Sequence, residues 1–529
     1  VRWRVALETW SGDEASPAPV RVEPDVPAMP PGNAPHVVVV GSGPAGLFAA
    51  LDLLRAGLRV TVLERGKDVQ ARRRDIAALN KGTPADPESN YAFGEGGAGT
   101  YSDGKLYTRT GSRDAVEPVL AELVAHGAPP SILWSWRPHI GSNRLPVVVQ
   151  ALRSTLRAAG EVRFESRVDE LLTRERRITG VRLAGGEELA ADAVVLATGH
   201  SALDAVRMAV RAGAPCEAKG FVMGVRIEQP QRWLDAHQYH GRKDEHDLPA
   251  AFYELASQVR ERGVYSFCMC PGGWIVPSQT RPDALVVNGM SLSRRDSPFA
   301  NSGVVVEIQP KDWCGKRGWR WGWSDVLVRA AALSDDPLLH EVVPDPRGGA
   351  SIDVAAGRLP VHPAVDPWFG ARLQVALEVL AAHAGGGANR APAQRCDRFA
   401  AGDAQPTAPL PSSYHPGLTP ANFDAILPKG LAERLRGALR AFDRRIPGYA
   451  GPDGQMIGVE TRTSSPVRLL RNDEDAESAP LESPGVAGLY PTGEGAGFAG
   501  GIVSAALDGR RVSRAIATVA KRTGSVPPR

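Results

Sequence analysis

The chain has 529 residues, 43% hydrophobic and 23% charged, enough apolar material for two or three domains with large cores. A net charge of +3 gives no case for a nucleic-acid or polyanion binder, and no apolar run reaches the roughly 18 residues that span a bilayer. Five cysteines are too few for a disulfide framework and fit a reducing, cytoplasmic setting.

Residues 11–35 are rich in Pro, Ser and acids, and 1–35 as a whole read as a strap, or as the remnant of a small preceding domain whose last strand would be the first ten residues. The pattern changes at His36. HVVVV (36–40) reads as a buried parallel strand, GSGPAG (41–46) as a turn, LFAALDLLRAG (47–57) as a helix and LRVTVLER (58–65) as a second strand. Gly41 permits the tight turn, Gly43 lets backbone approach a pyrophosphate, and Gly46 lets helix pack on strand. The helix N-terminus at Pro44 and Ala45 offers free N–H groups to phosphate. Glu64 lies eighteen residues past Gly46, where a carboxylate accepts hydrogen bonds from ribose and repels a 2′-phosphate; Arg65 follows it. Strand, turn, helix, second strand and acid in this order predict a dinucleotide site.

FGEGGAGTYSDGK (93–105) follows a polar stretch and lacks both a preceding strand and a G-K-[ST] ending, so it does not read as a phosphate loop. It reads as backbone lying flat against a ring, through Gly97, Ala98, Gly99, Thr100 and Ser102, with Lys105 and Arg109 supplying positive charge. WSWRP (134–138) superficially matches a W-x-W-x-I-P element, but Ile is absent and the match reads as coincidence. Farther on, the strand EELAADAVVLATG ends at Ala197, Thr198 and Gly199. His139 and His200 are general-acid candidates, the latter because it directly follows that turn.

Between Phe221 and Pro310 the texture becomes a succession of alternating strands, which predicts a separate antiparallel-sheet domain. Cys268 and Cys270, two apart on one of these strands, read as ordinary buried thiols, with one cysteine facing the cofactor as the alternative. No further ligands share their spacing, and no metal site is expected. WCGKRGWRWGW (313–323) and the stretch to about 360 show no period and read as a surface insertion. Helices are predicted over 369–384 and 427–445. Arg462 and Arg468 in VETRTSSPVR suit a carboxylate or phosphate in a cofactor cavity, or else salt bridges to the cofactor domain. GLYPTGEGAGFAGGIVSAALDG (488–509) reads as strand, Gly-rich turn with Gly493 and Glu494, then a helix opening at Gly501 and Ile502. This segment resembles that of flavoproteins of the glutathione-reductase type, and a simple NAD dehydrogenase needs no such third segment, so the resemblance implies FAD, with the helix N-terminus favouring the anionic reduced flavin. No second GxGxxG follows a strand, so NAD(P)H, if used, docks transiently.

FGEGGAGTYSDGKLYTR, RPHIG, ATGHSALD, YSFCMCPGG, NGMS, APAQR, GVETRTSSPVR and PTGEGAGFAGGIVSAALDG, in this order, resemble the uncharacterised FAD-dependent dehydrogenases of bacteria and plant plastids. These are relatives of the glutathione-reductase-like flavoprotein oxidoreductases, and the resemblance covers about 1–310 and 365–520. It departs in having only the tail of the family's preceding small domain and in the insertion after 313. The expected fold class is α/β: a Rossmann-like FAD-binding domain of glutathione-reductase type, interrupted by an antiparallel β-sheet substrate domain. The expected boundaries are 36–215 for the first part, 216–450 for the substrate domain with an insertion at about 313–360, and 451–529 for the returning part. The expected function is FAD-dependent hydride transfer between flavin N5 and a small organic substrate, with Lys105, His200 and Arg462 as the catalytic set. A flavin monooxygenase and an FAD-binding scaffold are the alternatives.

Overall fold

The computed structural model describes residues 23–108, 112–241, 248–345 and 349–523. Arg109 therefore lies outside the described residues, as does the first part of the expected strap.

Strand β1 (His36–Val40), helix α1 (Pro44–Arg55) and strand β2 (Arg59–Leu63) form the expected βαβ unit. β1 pairs in parallel with β2 and with Ala193–Leu196. The sheet is completed by Glu161–Arg163 beside β2 and Leu489–Pro491 beside Ala193–Leu196, all parallel. Val37, Val38 and Val39 are fully buried because both faces are covered. One face packs α1, the helices Arg113–Ala125 and Leu145–Arg157, and the helix Ile502–Thr523. The other packs a three-stranded antiparallel sheet spanning 168–190.

The second unit is built on a seven-stranded sheet. Its order runs Ala256–Val259, Arg262–Cys270, Phe299–Ile308, Phe221–Pro230, Gln455–Glu460, Ala391–Arg395, Leu418–Pro420. Every pairing is antiparallel except the last. Trp274–Pro277 and Val287–Met290, read as two more strands of the same sheet, form their own two-stranded ribbon. The helices Phe369–Gly385 and Lys429–Asp443 bury their apolar residues in the core of this unit.

Two expectations are corrected. The stretch after 313 is not a surface loop. It forms the helices Gly315–Trp321 and Trp323–Ala331, separated by Gly322 in the left-handed conformation, and Trp313, Trp321 and Trp323 are buried in the core. Large aromatic area drives that burial, and two short helices broken by a glycine leave no period to read. The boundary at 451 also falls too early. Gln455–Glu460 pairs with Phe221–Pro230, so the chain leaves the sheet unit only after this strand.

Candidate active site

A cleft of about 260 Å³ runs between the two units. One side is lined by Gly41, Gly43, Pro44 and Ala45; the opposite wall by Phe267, Cys268, Asn288, Gly289, Glu460 and Arg462. The first turn behaves as its glycines predict. Gly41 has φ +104°, and a Cβ there would sit 2.4 Å from the Ala197 carbonyl oxygen. At Gly46 a Cβ would sit 1.9 Å from the Gly41 oxygen, so Gly46 serves close helix–strand packing and does not line the cleft. Gly43 is different. Its φ is an ordinary −71°, and a Cβ would find only Gly97 Cα, at 4.0 Å. The fold leaves that space to an occupant of the cleft. The α1 N-terminus opens there, its first intrahelical bond running from Leu47 N–H to the Gly43 carbonyl, which leaves the N–H groups of Ala45 and Gly46 without helical partners.

The glycine loop forms a second wall beside this turn. Gly96 N–H donates to the Ser42 carbonyl at 3.0 Å, and a Cβ on Gly97 would lie 3.1 Å from Gly43 Cα. The loop middle therefore packs against the first turn, and the loop end reaches the sheet unit through Asp103, 3.0 Å from Arg295, and Lys105, 3.5 Å from Cys268. Gly97, Ala98, Gly99 and Ser102 line the cleft. Thr100 does not: it is buried and its hydroxyl donates to the Glu95 carbonyl at 2.9 Å.

Glu64 is buried, and its two oxygens accept four hydrogen bonds. The donors are Ser42 N–H (3.0 Å), Ser42 Oγ (2.7 Å), Gly66 N–H (2.9 Å) and Gly94 N–H (3.0 Å). A carboxylate has about four acceptor sites, so in this structure Glu64 first joins three segments, and a ribose would share sites already in use. Arg65 lines the cleft but is held by Glu88 at 2.8 Å and Asp204 at 2.9 Å, stacked over Phe93.

The organiser of the loop is a residue with no place in the sequence reading. Arg72, on α2 (Val69–Asn80), is fully buried. It donates to the carbonyls of Asn90, Tyr91, Glu95 and Gly97 at 2.7–2.9 Å. Burial pushes its guanidinium down to about 10, against the pull of Glu64 and other nearby groups. A signal existed: Arg72 falls on the stripe Val69, Ile76, Leu79 that α2 buries.

On the C-terminal side, Ala197, Thr198, Gly199, Glu494, Gly501 and Ile502 line the cleft. Gly493 does not; its N–H donates inward to Asp508 at 2.7 Å. Glu494 Oε2 lies 3.2 Å from His200 Nδ1, so the acid of the turn and the general-acid candidate form one pair. His139 is not a lining residue; burial, then Arg295, lowers its imidazole below the ordinary value. Arg468 pairs with Glu217 and stacks near Phe498, away from the cleft lining.

Lys105 and Arg462 both reach the cleft. Lys105 Nζ lies 3.5 Å from Cys268 Sγ, 3.7 Å from Cys270 Sγ and 3.6 Å from Asp103. Although burial disfavours its charge, the two thiols and Asp103 outweigh that and raise it above the usual lysine value. Arg462 is gripped by Glu378 through Nε at 2.6 Å and Nη2 at 2.8 Å, while its Nη1 is buried without a partner among the described residues. Within this wall, Glu460 pairs with the buried Arg226 at 2.8 Å.

Residues 35–215 match the family model described as pyridine nucleotide-disulphide oxidoreductase, and 220–320 with 354–463 match that of the FAD-dependent protein, C-terminal domain-like. The break between the latter two falls in the Trp-containing helical segment. An uncharacterized protein of Clostridium beijerinckii is 38% identical over 489 residues, covering 90% of this chain and 80% of that protein. The chain belongs to this family of uncharacterised FAD-dependent oxidoreductases. FAD is the oxidoreductase's cofactor, and the residues present fit it: the space beyond Gly43 and the orphaned Arg462 Nη1 both await an occupant. Gly41, Gly43, Ala45 and Gly97 would hold the dinucleotide, and Lys105, Arg462 and Ile502 would meet its flavin end. Among solved structures, tetracycline destructase Tet(51) is 12% identical over 52% of the oxidoreductase and 57% of that chain, with a TM-score of 0.27. The flavin-dependent brominase Bmp2 is 14% identical over 53% and 57%, with a TM-score of 0.28. The match thus spans a little over half the length of each of these structures. No described helix is long and apolar enough to cross a membrane, and no described cluster of His, Cys, Asp and Glu could hold a metal ion.

Proposed function

We propose that the oxidoreductase transfers a hydride between flavin N5 and a small organic substrate, with NAD(P)H docking transiently as donor. The observation that supports this most is Arg462. Glu378 fixes two of its nitrogens, and Nη1 remains as a buried donor at the cleft wall. Such a donor suits negative charge, whether on reduced flavin or on a substrate carboxylate. Bound FAD supplies the two-electron chemistry. Lys105 adds a second cation to the same wall, and the N-terminus of the helix Ile502–Thr523 adds partial positive charge. Glu494 holds His200 through Nδ1, which leaves Nε2 to give or take a proton.

The test is anaerobic reduction of the purified yellow protein by NADH and by NADPH, followed by oxygen. Bleaching by either nicotinamide supports the reading. Arg462→Met should slow that reduction by roughly 10- to 100-fold, as expected for one charge-assisted hydrogen bond. Bleaching by neither, or full speed in the variant, sinks it. Fast reoxidation by oxygen only when an organic substrate is present would move the assignment to monooxygenation.

A further inference from the structure

The cleft wall facing the dinucleotide turn carries a pair of thiols under one ammonium group. Cys268 lines the cleft, and Cys270 is buried just behind it. Lys105 Nζ lies within 3.7 Å of both sulfurs. The Cys270 thiol donates to the Cys268 carbonyl oxygen at 3.3 Å.

The strand is deformed at this point. From Phe267 to Cys270 it advances three residues while its partner moves two, from Gly303 to Asn301. This is a β-bulge, and Cys268 sits in it with φ +45°, in the left-handed region that few non-glycine residues enter. Backbone strain of this kind gathers at functional sites. Asn288 and Gly289 complete the surroundings, with the Arg226 guanidinium against the Cys268 carbonyl at 3.4 Å.

The other described cysteines have no such setting. Burial pushes the Cys216 thiol up to about 11 and the Cys314 thiol up to about 12, and it raises Cys396 as well. At Cys268 the hydrogen bond from Cys270, aided by Lys105 and Arg226, outweighs burial and holds the thiol well below its ordinary value; Cys270 is raised in turn. A thiolate and a thiol two residues apart under one ammonium group are the partners that thiol–disulfide chemistry needs.

We infer that Cys268 and Cys270 are a second two-electron centre of the oxidoreductase, a dithiol–disulfide couple that exchanges electrons with FAD across the cleft wall. The inference rests on the FAD assignment and is independent of which hydride donor or organic substrate is used. In the oxidising direction the Cys268 thiolate and Cys270 thiol give up two electrons, the Cys270 S–H bond breaks and the S–S bond forms. The flavin takes both electrons and that proton, so Cys268–S⁻ plus Cys270–SH plus FAD becomes the disulfide plus FADH⁻. The reverse step spends reduced flavin to reopen the bond. Lys105 neutralises the thiolate of the reduced couple.

The experiment uses the holoenzyme in two parallel measurements. The protein is treated with the disulfide-forming oxidant diamide, desalted and titrated anaerobically with dithionite while the flavin absorbance is followed. Wild type should take up twice as many electrons per FAD as Cys268→Ser treated in the same way. On a second aliquot, alkylation and peptide mass mapping should find residues 268 and 270 protected after diamide and free after dithionite. Both thiols alkylatable after diamide would overturn the couple, and that reading does not depend on any variant folding. A mapped disulfide combined with unchanged electron uptake would overturn its exchange with FAD. Because the mapping reads sulfur alone, its failure is distinguishable from failure of the hydride-transfer reading, which the nicotinamide experiment decides.

Discussion

Removing the Arg72 guanidinium should cost the oxidoreductase much of its stability and its hold on FAD. In Arg72→Met the buried carbonyls of Asn90 and Tyr91 lose their donor outright, while those of Glu95 and Gly97 lose a charge-assisted bond but keep one from Thr100. Each unsatisfied acceptor costs about 1–3 kcal/mol and each lost charge-assisted bond about 1.5–3 kcal/mol, so the two of each kind together cost about 5–12 kcal/mol. Part of this is returned. Burial, opposed by Glu64 and other neighbours, lowers the Arg72 guanidinium to about 10 from an ordinary 12.5, a net cost of about 3 kcal/mol for holding the charge that the variant no longer bears. The net loss is about 2–9 kcal/mol, against a typical total of about 5–15 kcal/mol for a folded protein. Arg72→Lys should recover little, since one ammonium cannot span four carbonyls arrayed around a planar fork. The assays are denaturant unfolding with and without added FAD, and flavin content after gel filtration. An Arg72→Met protein that unfolds within about 0.5 kcal/mol of wild type and keeps its flavin would refute the account of the loop.

Other outcomes separate folding from binding. Gly43→Val should fold with an unchanged melting temperature yet lose FAD on gel filtration, because its Cβ meets nothing but Gly97 Cα at 4.0 Å; Gly46→Ala should lower the melting temperature, its Cβ falling 1.9 Å from the Gly41 oxygen. Trp323→Ala should destabilise by about 3–5 kcal/mol in chemical denaturation, since the ring is fully buried; a surface loop would tolerate it. Lys105 and Arg295 together outweigh burial and hold Asp103 below the ordinary carboxylate value, so its contribution is present above an unfolded value of 3.8 and lost as pH falls below it. Unfolding followed from pH 6 to pH 3 should therefore show a smaller acid loss in Asp103→Asn than in wild type.

Much of this molecule was legible before any coordinates. A continuous valine run, three glycines at fixed spacing and a terminal acid describe β1, α1 and β2 because each residue answers to a local constraint. The antiparallel unit was legible from alternation. What escaped depends on partners distant in the chain. Arg72 sits in a run of three arginines, of which Arg73 and Arg74 are exposed, and only its place on the buried stripe of α2 separates it from them. Gln455–Glu460 looks like any short strand until its neighbour, Phe221–Pro230, is known. Cys268 and Cys270 read as alternate residues of a regular strand, and the bulge between them is set by register against Gly303 and Asn301. Gly46, Thr100 and Gly493 carry the right residue types for a cofactor site but face inward, a matter of rotation within a turn that composition does not record.

Glu64 has a consequence for how the cofactor is acquired. By holding Ser42, Gly66 and Gly94 together through one carboxylate, it ties the phosphate turn, the end of β2 and the glycine loop into a single rigid collar. The collar stands without help from any ligand, so little ordering entropy is left to lose when FAD arrives. Uptake of FAD by the finished protein should then resemble a key entering a cut lock. Loss of that one carboxylate would turn the same encounter into a loop-folding reaction, slower to form and faster to fall apart.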